Sequence, residues 1–93
     1  DRNELPASHH LGQNYPNPFN PGTTIRYRIQ ERGFVTLKVY DILGREVRTL
    51  VAQELNAGPY AVDFDAGNLA SGVYFYQLRV KEFIDTKKLI LAR

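Results

Sequence analysis

Three prolines crowd the run Asn14-Tyr15-Pro16-Asn17-Pro18-Phe19-Asn20-Pro21. Each proline removes a backbone donor and fixes φ, so the run can be neither helix nor interior strand. It is predicted to be an ordered, extended lead-in. Tyr15 and Phe19 are its apolar pegs, and Asn17 and Asn20 its turn formers. Such a stiff segment ahead of many short alternating segments reads as the start of a small β-sandwich.

The alternation is cleanest in Thr23–Ile29, where Ile25, Tyr27 and Ile29 fall on one face and Arg26 and Arg28 on the other. Phe34–Tyr40 repeats the pattern with Val35, Leu37 and Val39 inward. Asp41-Ile42-Leu43-Gly44 is a tight reversal, with Gly44 free to take positive φ and Asp41 able to bond the turn backbone. Arg45–Ala52 returns with a bulge, because Val47, Leu50 and Val51 break a strict period of two. A polar loop over Gln53–Gly58 leads to a strand marked by Tyr60, Val62 and Phe64.

After a corner at Asp65–Ser71 comes Val73–Val80, apolar on both faces and therefore expected in the middle of a sheet. Lys81 and Glu82 make a hairpin into a final strand, Ile84–Leu91. With a short pairing near Leu11, the sequence predicts an all-β, Ig-like antiparallel sandwich of about seven strands. Its expected core is Ile25, Tyr27, Val35, Leu37, Val39, Val62, Phe64, Tyr74, Tyr76 and Leu78.

Ninety-three residues make one domain. Residues 1–10 read as polar linker from a preceding cargo, and 11–93 as the domain. Because Met is lacking altogether, the chain is expected to be a portion of a longer translation product. The net charge of +2, from 12 basic and 10 acidic residues, is too small and too dispersed for a nucleic-acid partner. With no Cys there is no disulfide, thiol nucleophile or thiolate metal site. No apolar run is long enough for a transmembrane helix.

Chemistry-bearing clusters are sparse. The two serines, Ser8 and Ser71, lack a histidine held beside them, since His9 and His10 both fall in the expected linker. No enzyme and no cofactor are therefore expected. Adjacent histidines do not converge on one metal ion, so linker filler is the simpler reading. Asp63 and Asp65, with Asn68 nearby, offer too few oxygens for a Ca²⁺ loop, and a solvated loop is the default. Leu5-Pro6-Ala7-Ser8 has the look of a Gram-positive wall-sorting signal but lacks the hydrophobic stretch and basic tail that must follow one.

Leu69-Ala70-Ser71-Gly72-Val73-Tyr74 has the shape of a tyrosine corner, in which the Tyr74 hydroxyl bonds back to the turn. The competing reading makes Tyr74, Phe75 and Tyr76 a sugar-stacking platform. Alternation buries at least half of these rings, which favours the corner.

These segments in this order resemble the type A C-terminal sorting domain of the type IX secretion system of Gram-negative bacteria. The resemblance runs from Leu11 to Arg93. It rests on Leu11, Asn14–Pro21, Thr24-Ile25 and Tyr27, then Val39-Tyr40-Asp41, Leu43-Gly44-Arg45 and Val47. It continues through Ala57-Gly58, Leu69–Tyr76 and the basic tail Thr86–Arg93. The resemblance implies an Ig-like fold and a non-catalytic label that takes an exported cargo from the periplasm to the cell surface. The implied partners are type IX translocon components, a surface sortase-like peptidase and a covalently linked N-terminal cargo.

The family's signature positions map onto Asn17, Pro18, Asp41, Gly44, Gly72, Tyr74, Lys87, Lys88 and Arg93. Of these, Lys87, Lys88 and Arg93 are expected to face a partner from an exposed strand edge. Two departures stand out. Arg93 replaces the commoner terminal Lys, and Pro59 implies a strand that starts late or lies at an edge. The alternatives are a carbohydrate-binding or spacer Ig-like module, or a domain like that of flagellar hook-capping proteins, which shares the Pro-Asn-Pro lead-in.

Overall fold

The structure is a computed structural model, and it describes residues 8–93. Most of the expected linker, and all of the wall-sorting-like run except Ser8, lie outside the described residues. Seven strands follow one another: β1 (His10–Leu11), β2 (Gly22–Ile29), β3 (Gly33–Tyr40), β4 (Glu46–Leu55), β5 (Gly58–Asp65), β6 (Gly72–Val80) and β7 (Phe83–Leu91). They form two antiparallel sheets, β1-β2-β5 and β4-β3-β6-β7, packed face to face as an all-β sandwich.

The alternation read from the sequence determines which side chains meet between the sheets. Ile25, Tyr27 and Ile29 from β2 face Val35, Leu37 and Val39 from β3 and Tyr74, Tyr76, Leu78 and Val80 from β6, and all are buried. β6, apolar on both faces, lies between β3 and β7 as its composition predicts. β5 is an edge strand, which places Pro59 where a missing N–H disrupts no interior ladder. That edge position also corrects the expectation for Val62. It is half-buried, because β5 has a neighbour on one side alone.

β4 carries the expected irregularity. Leu37 pairs with Val51 but Lys38 with Thr49, so Leu50 is extra; Val39 pairs with Arg48 but Tyr40 with Glu46, so Val47 is extra. The strand continues to Leu55 where a loop was expected from Gln53, because polar side chains on an outer strand do not interrupt main-chain pairing with Phe34 and Val35. His9 and His10 are held against the domain: His9 Nδ1 accepts the Gln30 N–H at 2.9 Å, its ring packs on Phe83 at 5.3 Å, and His10 begins β1.

The lead-in ties the two sheets together. Gly12 N–H donates to Arg26 O, and Tyr15 exchanges hydrogen bonds with Thr24, so this part runs along β2. The chain then crosses to the other sheet, where Phe19 N–H donates to Ile90 O and Ala92 N–H donates to Phe19 O, both at 3.0 Å. Phe19 is buried against Phe64, as a peg should be. Tyr15 is 76 % exposed and is no peg, because its bonds to Thr24 turn it away from the interior.

Candidate functional site

Strand direction brings most of the signature residues to one end of the sandwich. Gly22 pairs with Asp65, Tyr40 with Phe75, and Gly72 with Leu91. The start of β2, the end of β3, the end of β5, the start of β6 and the end of β7 therefore share a pole. The chain enters at the opposite pole, where His10 pairs with Arg28.

At the signature pole the β3–β4 hairpin is built by Asp41. Its Oδ1 accepts N–H bonds from Leu43 at 2.9 Å and Arg45 at 3.0 Å, while Oδ2 takes the Arg45 Nε at 2.9 Å. The Arg45 N–H is the largest cause of a carboxyl pKa below its usual value, helped by the Arg45 guanidinium and the Leu43 N–H. The turn's stabilisation is therefore present above the ordinary carboxylate value and is lost as pH falls from there through the lowered folded value. Gly44 takes φ +83° with open space around it, so backbone conformation alone demands glycine there.

Gly72 opens β6 at φ +149°, again with nothing near its missing Cβ. Two residues on, Tyr74 Oη donates to Ala70 O at 2.6 Å and closes the tyrosine corner. Tyr74→Phe is expected to lower stability by about 1 kcal/mol, since the Ala70 carbonyl lies at an exposed residue and can return to water. An unchanged urea midpoint would show that the hydroxyl contributes nothing to the corner.

Asn17 is a clamp and not merely a turn former: its Oδ1 accepts the Ile90 N–H at 2.9 Å. Pro18, exposed, sets the backbone between that clamp and the buried Phe19. Gln13 Nε2 adds a bond to Lys88 O at 2.9 Å. From Lys88 to Ala92, the outer edge of β7 is thus covered by the lead-in.

The tail therefore does not present a bare strand edge. Arg93, though exposed, is bonded within the domain. Its guanidinium donates to the carbonyls of Leu69 and Gly67, and its N–H donates to Ser71 Oγ at 3.1 Å, so it fastens the β5–β6 corner. Lys87 and Lys88 point to opposite faces because successive strand residues must. Lys87 is half-buried on the side of Leu89, whereas Lys88 is exposed on the outer face beside Phe75. Of the three tail cations, Lys88 and Arg93 are exposed and Lys87 is half-buried.

The sequence reading missed a buried polar knot. Tyr76, fully buried on the central strand, donates its hydroxyl to Gly12 O at 2.7 Å and accepts the Asn14 N–H at 2.8 Å. The Asn14 side chain, also buried, donates to Pro16 O and Thr23 Oγ1, both at 3.1 Å. Burial pushes the Tyr76 hydroxyl up to about 12. The signal was a tyrosine on a core-facing position, which announces a buried hydroxyl in need of partners.

Tyr74 and Tyr76 are buried, so the sugar-stacking platform loses two of its three rings. Asp63 Oδ1 accepts the Thr24 hydroxyl and Asp65 Oδ1 the Gly67 N–H, which makes them a cross-strand link and a turn cap. No metal-ligand cluster is found among the described residues.

The profile of the secretion system C-terminal sorting domain matches residues 13–92, almost the whole chain. The chain belongs to that family. The sorting domain is thus a signal module of type IX secretion, and its family implies interaction with the secretion machinery and export to the surface or beyond. Comparison with curated proteins and with solved structures gave no match.

Proposed function

We propose that this sorting domain is a non-catalytic address label, spanning 11–93, that residues 1–10 join to an N-terminal cargo. It carries that cargo from the periplasm through the outer-membrane type IX translocon. A sortase-like peptidase at the cell surface then releases the label and attaches the cargo. The observation that carries this reading is the family match, together with the gathering of Asn17, Pro18, Asp41, Gly44, Gly72, Tyr74 and Lys88 at the pole opposite the chain's entry. A label read by machinery while tethered to cargo benefits from that separation, because the cargo cannot then shield the surface being read.

The test is a passenger with an N-terminal export signal fused ahead of residues 1–93 in a type IX-competent cell. Surface protease accessibility is expected with the domain, and retention in the periplasm without it. Retention of the intact, folded fusion would refute the reading. Deleting Leu89–Arg93 would not be informative, since Leu89 and Leu91 are core residues and their loss is expected to destabilise the fold as well.

A further inference from the structure

At the signature pole the β3–β4 hairpin holds two large aliphatic side chains in solvent, Ile42 at 70 % and Leu43 at 72 % exposure. The reversal does not require them, because Asp41 and Gly44 set its geometry. Ile42 stands between two clefts. One, of about 390 Å³, is lined by Leu43, Arg45, Gly72 and Val73; the other, of about 420 Å³, by Tyr40, Gly44, Phe75 and Thr86. Cross-strand register sets Phe75 beside Tyr40, and Val73 beside Ile90. Tyr40, Ile42, Leu43, Val73, Phe75 and Ile90 thus form one apolar surface wrapped round the hairpin tip, of the kind that marks an interaction site.

The charge beside this surface is basic. Lys88 flanks Phe75, and Arg79 lies further along the same face; neither has an ion pair among the described residues. The other two cations nearby are already neutralised, Lys38 by Glu46 at 3.2 Å and Arg45 by Asp41 at 2.9 Å. A second copy of the domain would bring Lys88 and Arg79 against a surface of the same sign, which disfavours self-pairing. We infer that this surface docks an extended segment of an export-machinery protein, with apolar side chains for the two clefts and a flanking carboxylate for Lys88. This inference rests on the sorting reading above.

The same surface-delivery assay tests it. Ile42→Ser with Leu43→Ser should cut delivery about tenfold or more, as loss of two anchors does, while leaving the urea midpoint of the purified domain unchanged. Lys88→Glu should reduce delivery and Lys88→Arg should preserve it. If the unsubstituted fusion itself stays in the periplasm, the sorting reading falls and this inference with it. If the unsubstituted fusion is delivered and the double variant is delivered equally, the docking surface alone is refuted. Parental delivery of Lys88→Glu would overturn the acidic partner.

A photocrosslinking amino acid in place of Leu43 gives a second readout should the double variant lose stability. An adduct to a carboxylate-bearing apolar segment of the machinery supports the inference. An adduct to another copy of the domain, or no adduct during active export, overturns it.

Discussion

Phe19→Ala is expected to destabilise the domain by roughly 3–5 kcal/mol, the cost of emptying a buried phenylalanine site. The ring is 3 % exposed and lies 5.9 Å, centroid to centroid, from Phe64 in the other sheet region. A small domain has about 5–15 kcal/mol in total, so this one truncation removes a large share. The effect should also be local. Phe19 anchors the backbone that pairs with Ile90 and Ala92, and Asn17 caps the Ile90 N–H beside it. Without the ring, the amides of Ile90 and Ala92 should exchange with solvent faster than those facing β6. Urea unfolding measures the first effect and amide hydrogen exchange the second. A shift below about 1 kcal/mol would mean that the ring is dispensable and the lead-in merely rests on the sandwich.

Tyr76→Phe is the second large expected loss. Removing one oxygen orphans the Asn14 N–H, which belongs to a residue 2 % exposed, and the Gly12 carbonyl. A buried group left without its partner costs about 1–3 kcal/mol, and Asn14 lies too deep to recover a bond from water. The loss should therefore exceed that of Tyr74→Phe, whose acceptor is near solvent.

The pH dependence gives an independent check. The folded-state pKa of Tyr76 is raised to about 12, chiefly by burial, so the folded form holds its proton more tightly than the unfolded one. The stabilisation is complete below the unfolded value of about 10 and is lost as pH rises from there toward the folded value. Tyr76→Phe should flatten the fall in stability across that window. A residual slope should remain from Tyr27, whose pKa is raised by burial and by Tyr60 stacked upon it. An unaltered pH profile in Tyr76→Phe would place the hydroxyl in water.

The clamp on β7 and the knot around Tyr76 explain why the proline run is stiff. It lies along β2 over Gly12–Tyr15 and along β7 over Asn17–Phe19. A flexible segment would lose more conformational entropy in bridging two sheets, and prolines have already restricted the unfolded chain. Surface ion pairs such as Lys81–Glu31 and Arg32–Glu54, with both partners mostly exposed, add little by comparison.

What the amino-acid order determines by itself is whatever depends on near neighbours. Period-two alternation placed Ile25, Leu37 and Leu78 in the core, because successive strand side chains must point to opposite faces. Asp41 and Gly44 marked their turn, Gly72 and Tyr74 their corner, and Pro59 its edge, each through backbone chemistry within a few residues. The family motif was legible for the same reason, being a string of such local devices.

The tertiary structure alone decided what crosses between distant segments. Nothing near Asn17 in the chain says that its side chain will cap Ile90, or that Asn14 will meet Tyr76. Nor does the basic tail reveal that Arg93 turns back to Gly67 and Leu69 while Lys88 stays free on the outer face. An irregular segment has no period to betray its partner. It takes whichever edge and whichever buried polar groups the regular strands leave unsatisfied, and those exist only once the two sheets have packed.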